Sequence, residues 1–116
     1  MHKSKNLGEF EILVLAALVR LGPDAYGVSI RQEIEDRAAR KVSVGALHAT
    51  LTRLEAKNYV SSRVGEATAE RGGRAKKYYE IEAEGQAQLE RSISSLGNML
   101  KGIQPWPETL GYIACP

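Results

Sequence analysis

The sequence predicts a mainly α, α+β fold: a three-helix core that carries a two-stranded β-hairpin and is followed by one long C-terminal helix. Three observations lead there. Three segments with helical apolar spacing come first, two short β-prone runs then flank a glycine-bearing basic loop, and a heptad-spaced stripe follows.

In the first segment Phe10, Leu13, Val14, Ala17, Leu18 and Leu21 recur at helical spacing, and Gly22-Pro23 ends the helix. A second helix is expected from Tyr26 to Ala39, with Ile30, Ile34 and Ala38 as a narrow core stripe. After a short link, Ser43 stands where a helix N-cap belongs, because its hydroxyl can accept from an otherwise unpaired amide. The third helix starts there and runs to about Asn58, a residue type that tolerates the left-handed conformation of a helix end. Leu47, Leu51 and Leu54 share its inner face.

Tyr59 to Val64 and Lys77 to Ile81 read as strands, being β-branched and aromatic. The stretch between them has no apolar side chain larger than alanine and reads as an exposed hairpin tip. From about Ala83, the spacing of Leu89, Ile93, Leu96, Leu100 and Ile103 is that of heptad a and d positions. Gly97 and Gly102 weaken that helix, and Pro105 and Pro107 break any continuation. The order of elements is that of a winged helix-turn-helix, with residues 1–82 as the winged-helix domain, 83–103 as a dimerisation helix and 104–116 as a tail.

Size and composition exclude several classes. A chain of 116 residues, 43% hydrophobic, supports one modest core and leaves no room for a second domain. The longest apolar run, Ile12 to Val19, is too short to cross a hydrocarbon layer of ~30 Å, and with no cleavable signal pattern a cytoplasmic address is expected. With His2, His48 and the near-terminal Cys115, neither a metal site nor a Cys-His nucleophile can be assembled within one chain. No metal, no cofactor and no catalytic group are expected.

A net charge of +2 would not by itself suggest a polyanionic partner, but its distribution does. Between Arg40 and Tyr79 nine basic residues, Arg40, Lys41, Arg53, Lys57, Arg63, Arg71, Arg74, Lys76 and Lys77, face only Glu55, Glu66 and Glu70. If the three leucines of the third helix point inward, Gly45, Ala49, Thr52 and Ala56 lie opposite, with His48 and Arg53 on the flanks. Such a slim face can enter a major groove ~12 Å wide, with Arg53 reaching a base edge or a phosphate and Thr52 and His48 adding hydrogen bonds. On the hairpin Arg71, Arg74, Lys76 and Lys77 supply cations, and Gly72 and Gly73 allow close backbone approach. Ser43, Gly45, His48, Ala49, Thr52, Arg53, Lys57, Arg71, Gly73, Arg74, Lys76 and Lys77 are therefore the candidate contacts to double-stranded DNA.

Across Leu7 to Gly85 the residues resemble the PadR-type transcriptional regulators. The resemblance rests on Ala25-Tyr26-Gly27, on Val42 to Glu55, on Gly72-Gly73-Arg74-Ala75-Lys76-Lys77-Tyr78-Tyr79, and on Ile81 with Ala83-Glu84-Gly85. It departs from the family at His48 (usually tyrosine), Val44 (a common proline), Asn58 (usually glycine) and Glu82 (a common threonine, so the last helix loses a cap). The resemblance implies a homodimeric regulator, a repressor, whose last helix crosses to the first helix of its partner. Phe10, Leu89, Ile93, Leu96, Leu100 and Ile103 would form that interface, and the dimer would read a near-palindromic operator. In relatives that sense hydrophobic small molecules, interface aromatics stack on the effector; Trp106 resembles such a residue but is read here as an anchor for the tail. The residues leave two rival readings: an enzyme, for which they show no paired carboxylate or phosphate-loop motif, and a winged-helix module that holds an acidic protein without binding DNA. Against the module, Gly45, Ala49 and Ala56 offer none of the large anchors a protein-binding face needs.

Overall fold

A computed structural model describes residues 6–65 and 76–103. The candidate contacts Arg71, Gly73 and Arg74 and the tail with Trp106 lie outside the described residues. The elements follow in the order α1 (Glu9–Leu21), a 3-10 turn (Gly22–Asp24), α2 (Gly27–Ala38), α3 (Val44–Ala56), β1 (Val60–Val64), β2 (Lys77–Ile81) and α4 (Ala83–Leu100). The fold is the winged helix.

Helix α1 buries Val14, Leu15, Ala17 and Leu18, whereas Phe10, Leu13 and Leu21 are half-buried at the core margin. Leu15 was not on the expected stripe; the apolar run Ile12–Val19 makes the inward arc wider than spacing alone defines. At Gly22 the backbone turns at φ 66°, and its N–H donates to the Leu18 carbonyl, closing the helix.

Helix α2 begins at Tyr26, whose amide donates to Ser29 Oγ at 2.9 Å. Ile30 and Ile34 are buried, but Ala38 is exposed, so the stripe ends one turn sooner than expected. Ala39, in the left-handed conformation at φ 52°, closes the helix there. The α2–α3 link is tied back by Arg31 Nε donating to the Val42 carbonyl and by the Val42 amide donating to Glu35.

Ser43 caps α3, its Oγ accepting from the Ala46 amide at 3.0 Å. Leu47, Leu51 and Leu54 are buried as their spacing predicts. At the other end Asn58 sits at φ 64°, its amide donating to the Glu55 carbonyl while that of Tyr59 donates to the Leu54 carbonyl. These are the paired bonds of a Schellman stop.

The hairpin is antiparallel, with Val60 opposite Ile81 and Val64 opposite Lys77. Beyond the last rung Gly65 N–H donates to the Lys76 carbonyl at 2.7 Å. On its other edge β2 meets the start of α2, through the Tyr79 amide donating to the Ala25 carbonyl at 2.8 Å. Tyr79 is buried in the core, and the neighbouring Tyr78 packs edge-on to Tyr26 with ring centres 5.8 Å apart.

Helix α4 lacks a side-chain cap, as the sequence leads one to expect, and departs from expectation at two points. Glu82 does not cap it with its side chain, which instead accepts from Ser61 Oγ, and the Glu82 amide donates to the Tyr59 carbonyl. Leu89 is buried in the chain's own core at 7% exposure, so it is not free to meet a second copy; Gly85 brings α4 so close to Tyr59 that the first turns must pack inward. The helix stops at Leu100, and Gly102 at φ 82° turns the chain, so Ile103 is off the helical stripe. What remains outward is Ile93, Leu96 and Met99, with Leu100 half-buried. Among the described residues no helix is long and apolar enough to cross a membrane, and no cluster of His, Cys, Asp and Glu could hold a metal.

Candidate nucleic-acid interface

The capped start of α3 and the three buried leucines fix the rotation of that helix, and everything opposite them is open. Gly45, Ala49, Thr52 and Ala56 are all exposed, as are Ser43 and His48. A methyl added at Gly45 would meet nothing within 4 Å, so the fold itself does not require glycine there. Thr52 Oγ1 donates to the His48 carbonyl at 2.9 Å, which leaves its hydroxyl oxygen as an acceptor toward any ligand.

On the His48 side of α3, three elements converge on a shallow cavity of about 380 Å³. Val28 comes from the start of α2, Val44 and His48 from α3, and Lys76 and Lys77 from the hairpin. Lys76 Nζ stands 4.3 Å from the centre of the Tyr26 ring, and Lys77 Nζ 5.6 Å from that of Tyr79. Cations held over aromatic faces keep their charge directed without a carboxylate to neutralise it. Arg63 continues this arrangement on β1, its guanidinium 4.7 Å from the Tyr78 ring centre and bonded to the Pro23 carbonyl.

The start of α2 belongs to this surface and carried no assigned role in the sequence, although Ala25-Tyr26-Gly27 stood out as a motif. Tyr26 cradles Lys76, Val28 is 60% exposed, and a side chain added at Gly27 would meet open space. The first-turn amides of a helix have no acceptor within the helix and favour an anion in front of them. That a tyrosine-glycine pair opens a helix was the available signal; that the hairpin lysine folds over it was not.

Arg53 and Lys57 are placed differently. Both turn to the opposite side of α3, toward α1, where Glu11 Oε2 lies 3.9 Å from Arg53 Nε and 3.7 Å from Lys57 Nζ. Arg53 also donates to Thr50 Oγ1 at 3.2 Å. The expected contact from Arg53 to a base edge is therefore not preformed: its guanidinium points away from His48 and the hairpin lysines. Arg40 is likewise drawn back, paired with Glu9 at 2.7 Å and standing 5.5 Å from the Phe10 ring centre.

Three helices closed by a hairpin whose lysines stand beside a slim, exposed third helix define the winged helix-turn-helix class. Within it, the model of the transcriptional regulator PadR-like family matches residues 14–91, and the chain belongs to that family. Solved structures agree. A PadR-like transcription factor from Bacteroides fragilis superposes with a TM-score of 0.69 at 27% identity, over 90% of this chain and 88% of that one. A PadR family transcription regulator from Clostridium difficile gives 0.60 at 28% identity, over 82% and 100%. Bacillus subtilis PadR in complex with operator DNA gives 0.60 at 18% identity, over 84% of this chain and 50% of that one, a likeness of fold. No curated protein matches the sequence.

Proposed function

We propose that this protein is a sequence-specific regulator of transcription that binds double-stranded DNA as a homodimer and acts as a repressor. The observation that carries the reading is the convergence of Lys76, Lys77 and the start of α2 beside His48, on the flank of the exposed, small-residue face of α3. The family supports it, and so does the operator complex of the B. subtilis relative.

In this reading Gly45, Ala49 and Thr52 let α3 sink into the major groove, and His48 stands in hydrogen-bonding reach of base edges. Ser43 and the first-turn amides of α2 face phosphates. Lys76 and Lys77, with Arg71, Gly73 and Arg74 of the hairpin tip, hold the backbone, and Arg53 and Lys57 lie at the margin. Phosphate contacts give register and affinity, whereas the α3 face gives sequence preference. The homodimer is supported by the outward row Ile93, Leu96 and Met99, which a single copy leaves exposed. A groove of about 500 Å³ between the start of α1 and α4, lined by Leu7, Ile12, Leu96 and Met99, would lie at that interface and is where a hydrophobic effector would relieve repression.

Selection of bound duplexes from a random pool by the purified protein tests the whole reading. The expected product is an inverted repeat whose half-sites are about one helical turn, ~34 Å, apart. A pool that stays random at low salt overturns it.

A further inference from the structure

Glu11, near the start of α1, pairs with two cations at the end of α3. Glu11 is only 9% exposed, and its carboxylate is already served by the Gly8 amide at 2.9 Å through Oε1. Its other oxygen faces Lys57 and Arg53, whose side chains are themselves about half exposed. A buried carboxylate that lost both cations would stand nearly uncompensated, so holding them is the low-energy arrangement for the chain without DNA. Arg53 and Lys57 sit one turn apart on the α1 side of α3, at the rim of the face proposed to enter the groove.

We infer that Glu11 is a positioning residue that withholds Arg53 and Lys57 from the DNA backbone, so that α3 engages the duplex with fewer cations than it carries. The inference rests on the DNA-binding reading above. Its consequence is selectivity: cations kept off phosphates lower the sequence-independent part of binding, and the neutral face of Gly45, Ala49 and Thr52 then weighs more in the choice of site. No other element need move, because Glu11 reaches both cations from the first turn of α1.

The test is a cycle of salt-titrated binding to a fixed duplex, using the full chain, Glu11→Gln, Arg53→Ala with Lys57→Ala, and all three changes together. Glutamine keeps an oxygen for the Gly8 amide, and melting curves check that each variant folds. Glu11→Gln is expected to steepen the dependence of log K on log salt by about one to two units, ~0.9 for each phosphate gained, and to tighten binding to random duplex several-fold. The double alanine variant is expected to keep the slope of the unmodified chain, and Glu11→Gln on that background to add nothing.

A gain that persists without Arg53 and Lys57 would reflect the loss of one negative charge alone and overturns the proposal. So does a Glu11→Gln protein whose slope falls or stays unchanged. Should Glu11→Gln fail to fold, the double alanine variant still decides, since a slope reduced by about two units would mean that both cations already touch DNA. Failure of the underlying reading looks different: the unmodified chain would bind no duplex even in dilute salt.

Discussion

At the scale of single residues, two positions are constrained by backbone geometry rather than by chemistry. A Cβ at Gly85 would lie 2.2 Å from the Tyr59 carbonyl oxygen and 3.0 Å from its carbon, both backbone atoms that cannot swing aside. Gly85→Ala is expected to cost about 1–3 kcal/mol of stability as an overpacked contact, measured by urea unfolding. Asn58 tolerates its left-handed conformation through a short polar side chain; Asn58→Gly is expected to be neutral or better, and Asn58→Val to lose about 1–2 kcal/mol in the same assay. On the hairpin, Lys77→Ala is expected to weaken binding to all duplexes alike and to lower the salt slope by about one, because a phosphate contact carries no sequence information. An altered base preference at constant slope would contradict that role.

Among the elements, α1 and α2 are tied by a single carboxylate. Glu33 Oε2 accepts from Arg20 Nε at 2.7 Å and from Arg37 Nε at 2.8 Å, bridging the two helices and one turn of α2. The hydrogen bond from Arg20 leads in holding the Glu33 carboxyl below its ordinary range; burial opposes it, and the hydrogen bond from Arg37 and the charges of both arginines add to the lowering. A lowered folded value means that the stabilisation is complete above the unfolded value and is lost as pH falls through the folded one. The gap in urea midpoint between the unmodified chain and Glu33→Gln should be open at neutral pH and close in acid below the carboxylate range. A gap that widens in acid would reverse the sign and exclude this account. Other elements show what was legible in the sequence. The Leu47-Leu51-Leu54 spacing, the Ser43 cap, the Asn58 stop and the bounds of β2 depend on neighbours within a few residues, and each is found as read. The direction of Arg53 depends on Glu11, which is far off in sequence and joined only by packing, and no local pattern encodes it. The burial of Leu89 in its own domain escaped for a related reason: a heptad stripe does not say which surface it meets until Gly85 fixes the distance to Tyr59.

For the whole molecule, the proposed dimer makes the outward row of α4 the region most sensitive to charge. Leu96 is 48% exposed in the single chain, so Leu96→Glu should leave the melting of one copy nearly unchanged while it puts a carboxylate into the shared apolar seam. Sedimentation equilibrium is expected to show a monomer for this variant and a dimer for the unmodified chain. Equal masses would place the contact between copies elsewhere. Two half-sites bound together gain effective concentration, so the monomeric variant should also lose most of its affinity for an inverted repeat and little for a single half-site.

The bare backbone contact at Gly85 gives the molecule a stiff elbow. At the joint where α4 meets the corner leading from α3 into β1, Gly85 lies against the Tyr59 carbonyl and the Ile81 side chain of the hairpin, so a swing of that long helix would press on the hairpin as well. The aim of the long arm and the aim of the wing thus meet at one joint.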